Sequence, residues 1–318
     1  MNYQEFMQII KETVEMIAPE GTNVSINHVI KNNGKEMDGL SIMEKNYNIA
    51  PSIYLDRYYK QALEGRNISD IAQEILAIHN DNKDNFFFDC DRFADYKSIK
   101  NRIAYKLINY ERNQKLLQDI PYIKIMDLAL VFYCIYSQEA GSSASVLIKN
   151  SHLEMWDIDI NTLHQDAKNN TPKLLESMVK PMSSMLHDIA GRMCHDGLEL
   201  DEEAKNIIDF VDDYDSTLSE CREDDMYILT NKTMINGACT MIYEGVLDNL
   251  AAQLNKDLYI LPSSIHELLV LPESLDYAER LKEIVREVNS TCLEQVELLS
   301  DNVYMYKRES GSIIIAEE

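Results

Sequence analysis

Leu128-Ala129-Leu130-Val131-Phe132-Tyr133-Cys134-Ile135-Tyr136 is the longest apolar run in the chain and the stretch that decides its fold class. Nine residues are too few to span a bilayer, which takes about 20. They do suit one strand, and because polar residues vanish from both of its faces, that strand is buried on both sides. Gln138 to Ser143, with Gly141, supplies a turn, and Ala144 to Lys149 follows as a partner strand. A central antiparallel hairpin is therefore expected.

Upstream, residues 3–17 place Phe6, Ile9, Ile10, Val14 and Ile17 near one side of a helix. Val24, Ile26, His28 and Ile30 alternate with polar residues. Asn32-Asn33-Gly34 has turn chemistry, and a second strand around Leu40 to Met43 completes a hairpin. Pro51 reads as opening a helix that Gly65 closes, carrying Tyr54, Leu55, Tyr58, Tyr59, Ala62 and Leu63. A further helix covers Ser69 to His79. Phe86-Phe87-Phe88 interrupts a polar linker and is expected to enter the core. The segment 99–108 reads as a strand, with Ile99, Ile103, Tyr105 and Leu107 on one side and Lys100, Arg102 and Lys106 on the other.

Downstream, Asn161 to Ala167 and Met182 to Cys194 read as helices. Tyr227 to Thr230, Ala238 to Tyr243, Leu258 to Leu261 and Ile265 to Leu271 read as strands, with a helix over Val246 to Leu254. Ser274 caps a helix bearing Leu281, Ile284, Val285 and Val288, and a hairpin over Val303 to Lys307 and Ile313 to Ala316 closes the chain. Helices and strands alternate without a βαβ rhythm. The reading is α+β, with mixed, largely antiparallel sheets, flanking helices and two subdomains. It divides into an N-terminal helix and hairpin region (1–95), a central α+β region (96–198), an acidic linker or loop (199–225) and a C-terminal α+β region (226–318).

Composition narrows the function. Hydrophobic residues make up 45% and charged residues 26% of the 318, which suits a globular protein and not a disordered one. Residues 1–19 carry Glu5, Lys11, Glu12 and Glu15 and do not read as a signal peptide. The expected location is the cytoplasm. The six cysteines (Cys90, Cys134, Cys194, Cys221, Cys239 and Cys292) form no CxxC pair and read as buried, reduced thiols. With 54 acidic against 30 basic residues the net charge is −24, which disfavours nucleic acid and anionic membranes and favours a basic protein partner. Twelve acids lie between Glu199 and Asp225, opposed by Lys205 and Arg222 alone. Six basic residues between Tyr96 and Lys115 interleave with tyrosines, as in single-strand binders, but the preferred reading is a solvated strand face, or one facing the acidic segment within the same fold. An acidic surface can also imitate DNA, but here the acids crowd into one segment.

Several strings resemble a known family. They are Tyr227 to Asn231, Asn236-Gly237-Ala238, Leu258 to Glu267, Leu107 to Asn113, Pro121 to Leu128 and Asn150 to Trp156. Together they are similar to an uncharacterised bacterial domain-of-unknown-function family common in anaerobic gut Firmicutes. Glu244 departs from the proline expected there before Gly245. The resemblance implies membership over most of the chain and carries no activity with it.

Known catalytic fingerprints fail at needed residues. Gly34-x4-Gly39 is followed by Leu40-Ser41 in place of the Lys-Ser/Thr of a phosphate loop. His266-Glu267-Leu268-Leu269-Val270 lacks the second histidine of a zinc protease. Asp213, Asp215 and Thr217 imitate a calcium loop, but Leu218 occupies its glycine position. His187, Cys194, His195 and Asp196 lack a nameable fourth partner for zinc. No cofactor or metal is expected.

One cluster remains. Ser263, Ser264, His266 and Glu267 follow Pro262, and in a strand Ser264 and His266 share a face. The catalytic candidates are Ser264, His266 and Glu267, with Cys239 as a neighbour; the ligand or partner candidates are Asn231, Ser263 and Tyr243. Two functions compete. The preferred one is a non-enzymatic binding or regulatory module that meets a basic protein or a small ligand. The other is a hydrolase or transferase using the Ser/His/Glu cluster. Hydroxyls that satisfy the Pro262 bend, and a histidine bonded within a half-buried sheet, account for the same residues without chemistry.

Overall fold

The computed structural model describes residues 1–45, 50, 52–82, 89–139, 142–185, 226–273 and 278–316. Several expectations lie outside those residues: Phe86 to Phe88, the Met182 to Cys194 helix beyond Met185, the acidic segment 199–225, the Ser274 cap, and both the His187 to Asp196 and the Asp213 to Asp224 clusters. Contacts divide the chain into two units. The first is Met1–Ile99 with Ser137–Ala144, and the second is Lys100–Tyr136 with Ser145–Glu318.

In the first unit, Asn2 and Glu5 form a reciprocal capping box that starts α1 (Tyr3–Ile17). Its buried stripe is Phe6, Ile10 and Val14, at the helical spacing the sequence shows. β1 (Asn23–Ile30) and β2 (Glu36–Met43) pair antiparallel, and β3 (Ser52–Tyr54) joins the other edge of β2. The segment after Pro51 thus begins as a strand, and the helix starts later, as α2 (Asp56–Leu63). Ile53 and Leu55 are needed in the core beside Leu40 and Ile42, and sheet pairing supplies that position. α3 (Ile68–Asn82) adds Ile71, Ala72 and Ile75 to the same core. His28 shares the strand face of Val24 and Ile26 but is itself exposed; its Nδ1 lies 2.9 Å from Asp38 across the hairpin. Short helices α4 (Cys90–Ala94) and α5 (Tyr96–Ile99) end the main run of this unit. Ile99 is therefore helical, and residues 100–102 form a 3-10 turn.

In the second unit, β4 (Ile103–Asn109) is buried along almost its whole length. Of the expected basic face only Lys106 lies in the strand, its ammonium 5.9 Å from the Tyr133 ring. After the single turn α6 (Gln114–Leu117) come β5 (Tyr122–Ile125), β6 (Leu128–Glu139) and β7 (Ser142–Leu147). β6 is central, between β4 and β5, and β7 pairs with it as well. The long apolar run is buried from Leu128 to Ile135. α7 (Asn150–Trp156) and α8 (Ile160–Leu174), capped by Asp159, follow.

The larger sheet contains β8 (Ser177–Pro181), β9 (Tyr227–Asn231), β10 (Leu258–Pro262), β11 (Leu268–Pro272), β12 (Tyr304–Lys307) and β13 (Ser312–Ile315), with α9 (Val246–Leu254) and α10 (Ala278–Thr291) between strands in sequence. The spatial order is β13-β12-β10-β11-β9-β8, and each neighbouring pair runs antiparallel. Register sorts the faces, because directly paired residues share a side. Tyr259, Leu261, Val303 and Met305 meet Leu281 and Val285 of α10. On the opposite side lie Tyr304 and Tyr306, whose hydroxyls donate to Asp127 and to Asp248 of α9. An α+β fold with antiparallel sheets is what the chain forms.

Two strands expected from sequence are otherwise built. Gly237–Ile242 is a 3-10 helix, entered through Asn236 at φ 55°. Residues 237–241 are buried in succession, so burial alone does not distinguish the segment from a strand. β11 begins only at Leu268, leaving 263–267 as a five-residue hairpin loop. Among the described cysteines, Cys134 and Cys239 are buried, whereas Cys90 and Cys292 are exposed, contrary to a uniformly buried set.

Candidate functional site

The Ser263–Glu267 loop joins β10 to β11, and its own hydrogen bonds close it. Ser264 N–H donates to the Glu267 carbonyl at 3.1 Å, completing the hairpin. The Ser264 hydroxyl accepts the His266 backbone N–H at 3.0 Å, the hydroxyl-to-backbone turn that serines form two residues ahead. Ser263 Oγ donates to the Glu267 carboxylate at 3.3 Å. The three catalytic candidates are therefore adjacent, but Ser264 meets the backbone of His266 and not its ring.

Three other segments hold the loop from outside. Ile265 N–H donates to the Glu297 carbonyl at 2.8 Å, and Ala238 N–H donates to the Ile265 carbonyl at 3.2 Å. Thr230 Oγ1 donates to the His266 carbonyl at 2.7 Å. His266 Nδ1 accepts the Asn236 backbone N–H at 3.1 Å, so the ring proton resides on Nε2 and the ring is neutral. Burial lowers the His266 pKa from 6.5; Glu297 and Glu267 oppose the shift and Lys106 adds to it. The ring's one lone pair is thus engaged, and a general base needs that lone pair.

Asn231 is fully buried at the end of β9 and folds the following turn around itself. Its Oδ1 accepts from Thr233 N–H at 3.0 Å and Thr233 Oγ1 at 2.7 Å, while Nδ2 donates to the Ile235 carbonyl at 2.8 Å. That turn brings Gly237 against Thr230 and His266. A Cβ at 237 would stand 2.1 Å from Thr230 Oγ1 and 2.4 Å from the His266 carbonyl, so only glycine fits.

Tyr243 lies apart from the loop in a buried phenol cluster. Its hydroxyl donates to the Leu175 carbonyl at 3.2 Å and lies 3.6 Å from Cys239 Sγ, and its ring meets Tyr105 edge-on. Burial pushes the Cys239 thiol up to about 12 and raises the phenols of Tyr105, Tyr133 and Tyr243 as well. A thiol that resists ionisation is a poor nucleophile. Among the described residues, no group of three or more His, Cys, Asp or Glu side chains could hold a metal ion, and no helix is long and apolar enough to cross a membrane.

Residues 3–308 match the family of unknown function DUF5688. The chain belongs to that family. No curated protein and no solved structure matches it.

The DUF5688 chain has a concave feature, apart from the Ser263–Glu267 loop, that its sequence does not announce. A cleft of about 320 Å³ lies between β8, with Tyr227 of β9, and α9. Ser177, Val179 and Pro181 line it from alternate positions of β8, and Val246, Asn249, Leu250 and Gln253 line it from one side of α9. The only sequence signal available was the i, i+4 spacing of Asn249 and Gln253 on a helix whose other polar side chain is Asp248.

Proposed function

We propose that this DUF5688 protein is a non-enzymatic binding or regulatory module, cytoplasmic and bacterial, whose acidic surface meets a basic protein partner. The observation that carries the proposal is the Asn236 N–H bond to His266 Nδ1. It engages the lone pair through which His266 would act as a base, and the Ser264 hydroxyl meets the His266 backbone N–H instead of its ring. The net charge of −24 supports the choice of a basic partner, because complementary charge speeds and orients encounter.

Turnover is the test. Wild type, Ser264→Ala and His266→Ala are assayed against p-nitrophenyl acetate and p-nitrophenyl phosphate, alongside a thermal-shift screen of metals, nucleotides and small metabolites. The expected result is no hydrolysis above buffer by any of the three. Turnover by wild type that both substitutions abolish, while circular dichroism shows them folded, would establish the hydrolase reading instead. Partner charge is tested with a lysine-rich peptide. Binding is expected at low salt and is lost as sodium chloride rises; no binding at low salt refutes a basic partner.

A further inference from the structure

We propose that the cleft between β8 and α9 binds a small uncharged ligand with an apolar body and at least one carboxamide or comparable hydrogen-bonding group. This inference is independent of the Ser263–Glu267 loop and of the basic partner.

The apolar and aromatic residues lining the cleft are Val179, Pro181, Tyr227, Val246 and Leu250. Its polar lining residues are Ser177, Asn249 and Gln253, and the Ser177 hydroxyl with the Asn249 amide supplies both donors and acceptors. None of the lining residues carries a charge, although 26% of the chain is charged. α9 contains one ionisable residue, Asp248, and it takes the Tyr306 hydroxyl. An ion entering such a cleft would lose water without gaining a counter-charge, whereas a neutral amide keeps its hydrogen bonds. The volume of about 320 Å³ falls at the small end of ligand sites, which are mostly apolar with a few placed polar groups.

The fold explains why the space exists. β8 is the edge strand of the larger sheet and has only five residues. Through register, Val179 pairs with Leu229 and Pro181 with Tyr227, so the β8 residues in the cleft are on the same side of the sheet as α9. Of the buried apolar side chains of α9, Leu250 lines the cleft, whereas Leu247, Ala251 and Leu254 do not. Asn249 and Gln253 are left at the rim.

The probe is N-acetylphenylalaninamide, compared with its carboxylate analogue N-acetylphenylalanine, by saturation-transfer NMR and isothermal titration on the full chain. Saturable binding of the amide in the millimolar range is expected, with the anion at least about fivefold weaker. Val179→Trp, which fills the cleft, is expected to abolish the signal. Asn249→Asp and Gln253→Glu change exposed residues isosterically, keep the fold and are expected to weaken the amide about fivefold. No saturable amide binding overturns the proposal, as does equal binding of amide and anion. Undiminished binding by the Asp and Glu variants overturns it even if the Trp variant fails to fold.

Discussion

At residue 237 the whole side chain is excluded by distance. Gly237→Ala places a methyl 2.1 Å from Thr230 Oγ1, 2.4 Å from the His266 carbonyl and 2.8 Å from Asn231 N. Overpacking of that kind costs about 1–3 kcal/mol, and urea denaturation is expected to show it. His266 adds a pH-dependent term. Its pKa is lower folded than unfolded, chiefly through burial, so its stabilising contribution is complete above 6.5 and is lost as pH falls toward the folded value. The stability gap between wild type and His266→Gln is therefore expected to narrow from about pH 7.5 to about pH 5; a constant gap refutes it. Ser264, His266 and Glu267 were legible as a cluster, because polar residues after a proline stand out. Their bonds were not, since Asn236 and Thr230 reach the loop from another strand and its turn.

Single elements here depend on polar groups placed between them. Thr171, buried in the last turn of α8, donates to the Ala167 carbonyl at 2.6 Å and accepts the Tyr105 N–H of β4 at 3.1 Å. Thr171→Val preserves shape but leaves that N–H unpaired, at a cost of about 1–3 kcal/mol; an unchanged unfolding midpoint would count against this pairing. The hairpin of β5 and β6 turns through Met126 and Asp127, and Met126 takes φ 54°, a conformation that suits glycine. The Asp127 carboxylate secures the turn by accepting from Ser300 at 2.6 Å, Asn302 at 3.0 Å and Tyr304 at 2.9 Å. Met126→Gly is expected to stabilise by up to about 1 kcal/mol, read as a higher unfolding temperature. The strands β4, β6, β9 and β10 were legible because their apolar runs are long or cleanly bounded. Gly237–Ile242 was not, since burial of successive residues erases the period that separates a 3-10 helix from a strand.

For the molecule as a whole, charge and sheet order are the decisive properties. A net charge of −24 acts against compaction, so added salt is expected to raise the melting temperature; a scan from about 20 to about 300 mM sodium chloride measures it. Fold class followed from the alternation of elements without βαβ units. The order β13-β12-β10-β11-β9-β8 did not, because register between distant strands is set by tertiary packing, which one sequence does not display.

The fit around Gly237 reaches beyond stability into how such a sequence diverges. Thr230 and His266, 36 residues apart, close upon a backbone that leaves no room for a methyl group. A lineage that acquired a side chain at 237 would first need a smaller residue at 230 and a loop of altered path after 262. Those three places are thus free to drift only in concert, and their pattern of exchange among descendants would trace this contact.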